Sequence, residues 1–190
     1  MRIVYSIIIG ILFSSAAAAQ GYESMTSVIN FNHVQNYEVT LLEGTSVTLS
    51  YHGSSSEDAA HTIRTIARAS EIFSDYAAEN NIEGSQCKSY DRINVYELRR
   101  DDLNDRSLMS FVRWSYWNNE NIAGLYDSMV SPPGEAGLFL SRSISTRSYK
   151  EMIIAHETSH MIQDIFCIAR NDPGLQESMA MKFEMYFSRR

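Results

Sequence analysis

The sequence predicts an α+β fold, in which a small mixed or antiparallel sheet packs on a backing helix and is followed by two C-terminal helices. Three observations predict it. Short runs of β-formers recur around residues 37–51 and 93–142, broken by glycine or polar residues. Residues 59–79 keep apolar side chains at helical spacing. Residues 148–188 read as two helices, each with its own start signal. The 190 residues are 44% hydrophobic and 21% charged, which fits one globular domain plus appendages.

Residues 1–19 read as a secretory signal peptide. Arg2 is the basic region, residues 3–13 are apolar, and residues 14–19 are small, with Ala17 and Ala19 framing the cleavage site. The apolar run falls short of the roughly 20 residues a membrane helix needs. The expected product is a single domain of residues 20–190, exported to the periplasm or secreted, with no integral membrane segment after signal removal. Loss of Arg2 shifts the net charge from −7 to −8. Such an acidic chain is poorly suited to phosphate backbones, so nucleic acid is not an expected partner. Oligomeric state is not legible. The two cysteines, Cys87 and Cys167, are expected to pair in an oxidising compartment.

Taken in order, residues 20–36 are polar and weakly patterned, a loose arm or an added edge strand. Residues 37–42 and 45–51 flank Glu43 and Gly44 and predict a β-hairpin. Ser56, with Glu57 and Asp58 after it, predicts a capped helix start. Ile63, Ile66, Ala67, Ser70, Phe73 and Ala77 then share one helical face, which backs the sheet. Residues 80–90 connect to a strand at 93–98, whose strict alternation predicts one buried face. Residues 101–117 read as a loop with one short helix, residues 122–127 and 137–142 as strands, and Pro132-Pro133-Gly134 as a turn. Ser148 with Glu151 forms the pattern of a capping box. Asp172 followed by Pro173 starts a last helix that runs to about Ser188.

The helix after Ser148 carries His156-Glu157-Thr158-Ser159-His160. With about 3.6 residues per turn, His156 and His160 project from one face and can share one metal ion, while Glu157 can act on a water there. Ile153, Ile154, Ala155, Met161, Ile162, Ile165 and Phe166 leave no broad polar face, so this helix is expected to be buried. Two histidines and a glutamate buried without partners would be costly, and a metal accounts for all three.

On these residues the chain resembles the zincin metallopeptidases. With Glu177 followed three residues later by the small Ala180, it is similar to the small, minimal gluzincins among them. The resemblance rests on residues 156–180 and covers the element order of residues 93–188; the first half of the mature chain matches no family pattern. It implies a zincin-like domain with Zn²⁺ held by His156, His160 and Glu177, Glu157 as general base, and a peptide or protein as substrate. The competing third ligands are Asp164, on the same helix as His160, and Glu184, seven residues past Glu177. The metzincin pattern needs a ligand where Phe166 stands. A helix continuing to Arg170 would carry the chain about 15 Å beyond His160, too far for Glu177 to return. The motif helix is therefore expected to end between Asp164 and Phe166. Residues 122–127 are the expected substrate-binding edge. Tyr126, Tyr149 and Tyr186 are available to assist an oxyanion, with no choice among them. His33, His52 and His61 are expected to be surface or satisfied side chains. The alternative to an exported peptidase is a zincin-fold protein that binds metal or regulates without cleaving.

Overall fold

The computed structural model describes residues 31–99, 123–128, 135–142, 144 and 146–190. The expectations for the signal peptide, for residues 101–117 and for Pro132-Pro133-Gly134 lie outside them. The described elements are β1 (His33–Thr40), β2 (Ser46–Gly53), α1 (Ser56–Glu79), β3 (Arg92–Leu98), β4 (Gly124–Asp127), β5 (Glu135–Ser141), α2 (Arg147–Ile165) and α3 (Pro173–Phe187). Among the described residues the fold is α+β, with three helices and a five-stranded mixed sheet in the order β1-β2-β3-β5-β4. β1 and β2 form the antiparallel hairpin, turning through Glu43 (φ 56°) and Gly44 (φ 75°). β2, β3 and β5 run parallel, and β4 lies antiparallel on β5 at the edge.

One face of the sheet packs on the helices. Tyr51, Ile93, Val95 and Leu138 join Ile66, Phe73, Ile154, Ile162 and Phe183 in one buried cluster. Phe183 of α3 sits edge-on to Phe73 of α1, with ring centroids 5.0 Å apart. Truncating such a buried aromatic costs about 3–5 kcal/mol. β3 corrects the one-face expectation, because every residue from Ile93 to Leu98 is buried. On the face away from the helices Tyr96 stacks on Phe139 (5.4 Å) and His52 (4.7 Å), and Phe31 lies over His52 at 5.5 Å. A strand between two parallel neighbours is covered on both sides, and alternation in sequence then reflects two chemically different covered faces.

Two helix starts differ from the sequence reading. Ser55, not Ser56, caps α1: its Oγ accepts from the Asp58 amide at 3.1 Å and its hydroxyl donates to Asp58 Oδ2 at 2.7 Å. Thr146, not Ser148, caps α2 by accepting from the Tyr149 amide at 3.4 Å. Glu151 cannot complete a box with Ser148, since its carboxylate faces Arg147 at 3.4 Å and His61 at 3.7 Å. α3 starts as expected, with Asp172 accepting from the Leu175 amide at 2.9 Å and Pro173 first in the helix.

α2 ends at Ile165, inside the expected window. The stop is a left-handed Cys167 (φ 53°), after which the Ile168 amide reaches back to the Gln163 carbonyl at 2.8 Å. This is the Schellman pattern, in which the left-handed position usually holds glycine. α1 ends in the same way through Asn81 (φ 53°), with Ile82 reaching Ala77 at 2.9 Å. At α2 the turn is also fastened covalently. Cys87 and Cys167 form a disulfide spanning 80 residues, and the Cys87 and Lys88 amides both donate to the Ile165 carbonyl, at 2.9 and 3.1 Å.

Candidate metal centre

The early stop of α2 turns the chain so that α3 packs back against it. His156 and His160, one turn apart on α2, face Glu177 of α3. His156 Nε2 lies 3.2 Å from His160 Nε2. Glu177 Oε1 is 3.4 Å from His156 Nε2, and Oε2 is 3.2 Å from His160 Nε2. One ligand atom from each residue falls within 4.8 Å of the others. Zinc with ligands at about 2.0–2.1 Å in a tetrahedron separates them by about 3.3 Å. The two imidazole nitrogens stand at about that separation and each faces one Glu177 oxygen, so the donor set is of the kind that zinc takes.

The charged groups also act on one another. Burial works against a charged His160, but hydrogen bonding to Glu177 and the charges of Glu157 and Glu177 raise its pKa above the usual range. The hydrogen bond from His160 holds the Glu177 carboxyl below its own.

Glu184 is not placed as a third ligand. Its Oε2 lies 3.2 Å from His156 Nδ1, on the side of the ring away from Glu177. A carboxylate on Nδ1 fixes the ring's orientation and leaves Nε2 as the free donor. Glu177 and Glu184 are seven residues apart, two turns of α3, and so share a face. Gln163 escaped the sequence reading altogether. It is fully buried, its Nε2 donates to Ser159 Oγ at 2.9 Å and to the Gln176 carbonyl at 3.2 Å, and it thereby ties α2 to the residue before Glu177. Its Oε1 is a buried acceptor with no hydrogen-bond partner among the described residues. Its i+3 spacing from His160 was the available signal.

Asp164 is drawn elsewhere. Its carboxylate receives Lys88 Nζ, the Tyr90 hydroxyl and, at 3.1 Å, the Tyr126 hydroxyl. This cluster ties β4 and the segment after Cys87 to the end of α2. Tyr186 is also occupied away from the metal ligands, donating to Glu79 at 2.7 Å. Tyr149 is half-exposed on α2, seven residues before His156, and two turns separate them by about 10 Å.

Glu157 lies between α2 and the edge strand, 7% exposed. Burial raises its pKa, and the charges of His160 and His156, with a hydrogen bond from the Tyr126 backbone amide, partly offset that. β4 comes this close because residue 124 is glycine. A methyl group there would fall 2.6 Å from Ile153 Cγ2 and 2.9 Å from Glu157 Cγ. β4 is thus the edge strand among the described residues, and it lies alongside the buried Glu157 carboxylate. No family model, curated protein or solved structure matches this chain.

Proposed function

We propose that the protein is an exported zinc-dependent metallopeptidase with a zincin-like, gluzincin-type site. The observation that carries this reading is the convergence of His156, His160 and Glu177 beside the buried Glu157. Zinc held by these three side chains would supply Lewis acidity to a scissile carbonyl and acidify a water at the site. Glu157 is the proton carrier: buried beside the two histidines, it would take a proton from water and hand it to the leaving amine. Glu184 orients His156, and Gln163 holds the α2–α3 joint on which the His160–Glu177 spacing depends. β4, the edge strand among the described residues, would offer backbone N–H and C=O groups to an extended peptide lying across Glu157 as an added strand. Export is supported by the signal-like N-terminus and by the Cys87–Cys167 disulfide. No helix among the described residues is long and apolar enough to cross a membrane.

One observation favours the second reading, a metal-binding protein without peptidase activity. Of the three tyrosines available to an oxyanion, Tyr126 and Tyr186 are committed to Asp164 and Glu79, and Tyr149 stands two turns away. A peptidase assay on a mixed peptide library separates the readings. The peptidase predicts cleavage that a chelator abolishes, that zinc restores, and that Glu157→Gln eliminates while the variant still binds zinc. Zinc binding without cleavage leaves the second reading; cleavage that survives Glu157→Gln contradicts the proposed base.

A further inference from the structure

At the carboxyl ends of the three parallel strands lies a second chemically distinct region, which the metal site does not use. A cavity of about 280 Å³ opens there between the first turns of α1 and α2. That is much more than the roughly 30 Å³ share of one water. Arg64, Arg147, Lys150 and His61 line it, together with Glu57 and Asp58. Asp58 is already spoken for, because the Ser54 and Ser55 hydroxyls donate to its Oδ2 at 2.8 and 2.7 Å.

The same end collects donors that lack acceptors. Arg147 Nη2 stands 3.2 Å from His61 Nδ1. A guanidinium can only donate, so Nδ1 accepts and the proton of the neutral ring sits on Nε2. That Nε2 is buried and has no hydrogen-bond partner among the described residues; Glu151 Oε1, at 3.7 Å, is beyond hydrogen-bond distance. Arg142 Nε, just beyond the end of β5, is likewise buried without a partner among the described residues. Arg64 has no ion pair among the described residues. Buried donors without acceptors are costly, at about 1–3 kcal/mol each, and an acceptor-rich ligand beside the unpaired Arg64 would satisfy His61 Nε2 and Arg142 Nε, whereas Lys150 already pairs with Glu97 and Arg147 faces Glu151 at 3.4 Å. Carboxyl ends of parallel strands and helix N-termini favour the same class.

We propose that this cavity binds a small oxyanion, a phosphate or carboxylate group, held by Arg64, Arg147 and His61 Nε2–H. The site is independent of the metal reading, since it shares none of the metal ligands.

The test is an amide and imidazole NMR titration of the full protein with inorganic phosphate and, separately, with acetate. Saturable shifts at His61, Thr146 and Arg147 are expected, with binding weakened at least about tenfold in an Arg64→Gln/Arg147→Gln double variant. Arg64→Gln alone, at an exposed position, gives a milder variant in which the same weakening must show in part. Saturation by acetate and not by phosphate supports the site and assigns it to carboxylates; the reverse assigns it to phosphates. Shifts that fail to saturate, that persist unchanged in both variants, or that centre on His156 and His160 overturn the proposal.

Discussion

Two buried glutamates touch α2, and they are treated in opposite ways. Glu97, at the end of β3, is 1% exposed, pairs with Lys150 at 2.9 Å and receives the Thr62 hydroxyl at 2.5 Å. Glu157, seven residues after Lys150 on the same helix, is 7% exposed and has no lysine or arginine partner among the described residues. Its neighbours are two imidazoles and a backbone amide. Burial alone therefore does not mark a functional carboxylate. Glu97 is neutralised where it stands and serves the fold. Glu157 has its pKa raised by burial and stands next to His156, His160 and Glu177, the proposed metal ligands.

The largest expected effect breaks the structural half of that comparison. Glu97→Gln leaves Lys150 unpaired in a site where its side chain is 14% exposed. It should cost about 3–5 kcal/mol in urea unfolding, whereas Glu157→Gln, which leaves no lysine or arginine unpaired among the described residues, should cost far less. Equal losses would mean that the two glutamates play the same role. Next comes the joint between α2 and α3. Replacing Cys87 and Cys167 by serine opens a link across 80 residues and should cost about 2–4 kcal/mol. Because the joint sets the His160–Glu177 spacing, zinc affinity should fall with it; unchanged affinity would show that the packing of α3 suffices.

Glu184→Gln sharpens the metal half. It should weaken zinc about 10–100-fold in a competition titration while leaving the fold intact. A third-ligand role for Glu184 would instead abolish binding. The smallest effect lies at the cap of α1. Hydrogen bonds from Ser55, the largest cause, and from Ser54 hold the Asp58 carboxyl below its usual 3.8. A depressed acid contributes stability that is present above its unfolded pKa and lost as pH falls through its folded one. Asp58→Asn should therefore cost about 1 kcal/mol at neutral pH, and the wild-type advantage should vanish as pH drops below about 3.8.

What was legible in the sequence was local. The His156–His160 spacing, the Asp172–Pro173 start and the hairpin around Gly44 each follow from backbone geometry over a few residues. The end of α2 was legible only indirectly, because its apolar pattern runs on past Phe166 and a cysteine, not a glycine, takes the left-handed turn. The partners were not legible. Whether Glu184 reaches His156 Nδ1 or the metal side depends on how α3 rolls against α2. That Asp164 gathers Lys88, Tyr90 and Tyr126 depends on contacts up to 76 residues apart. Gly124 looked like an ordinary strand residue, and only its closeness to Glu157 gives it a reason. The orphan donors near His61 are likewise a property of packing, invisible to any spacing rule.

The central claim is that His156, His160 and Glu177 hold one metal ion beside a base that is not a ligand. Its most direct test is zinc stoichiometry and affinity in the purified protein and three variants. The account predicts one tightly bound zinc per chain, retained in Glu157→Gln and lost in His160→Ala and Glu177→Ala. A chain that binds no zinc, or a Glu177→Ala variant that binds it as tightly as the parent, would contradict it.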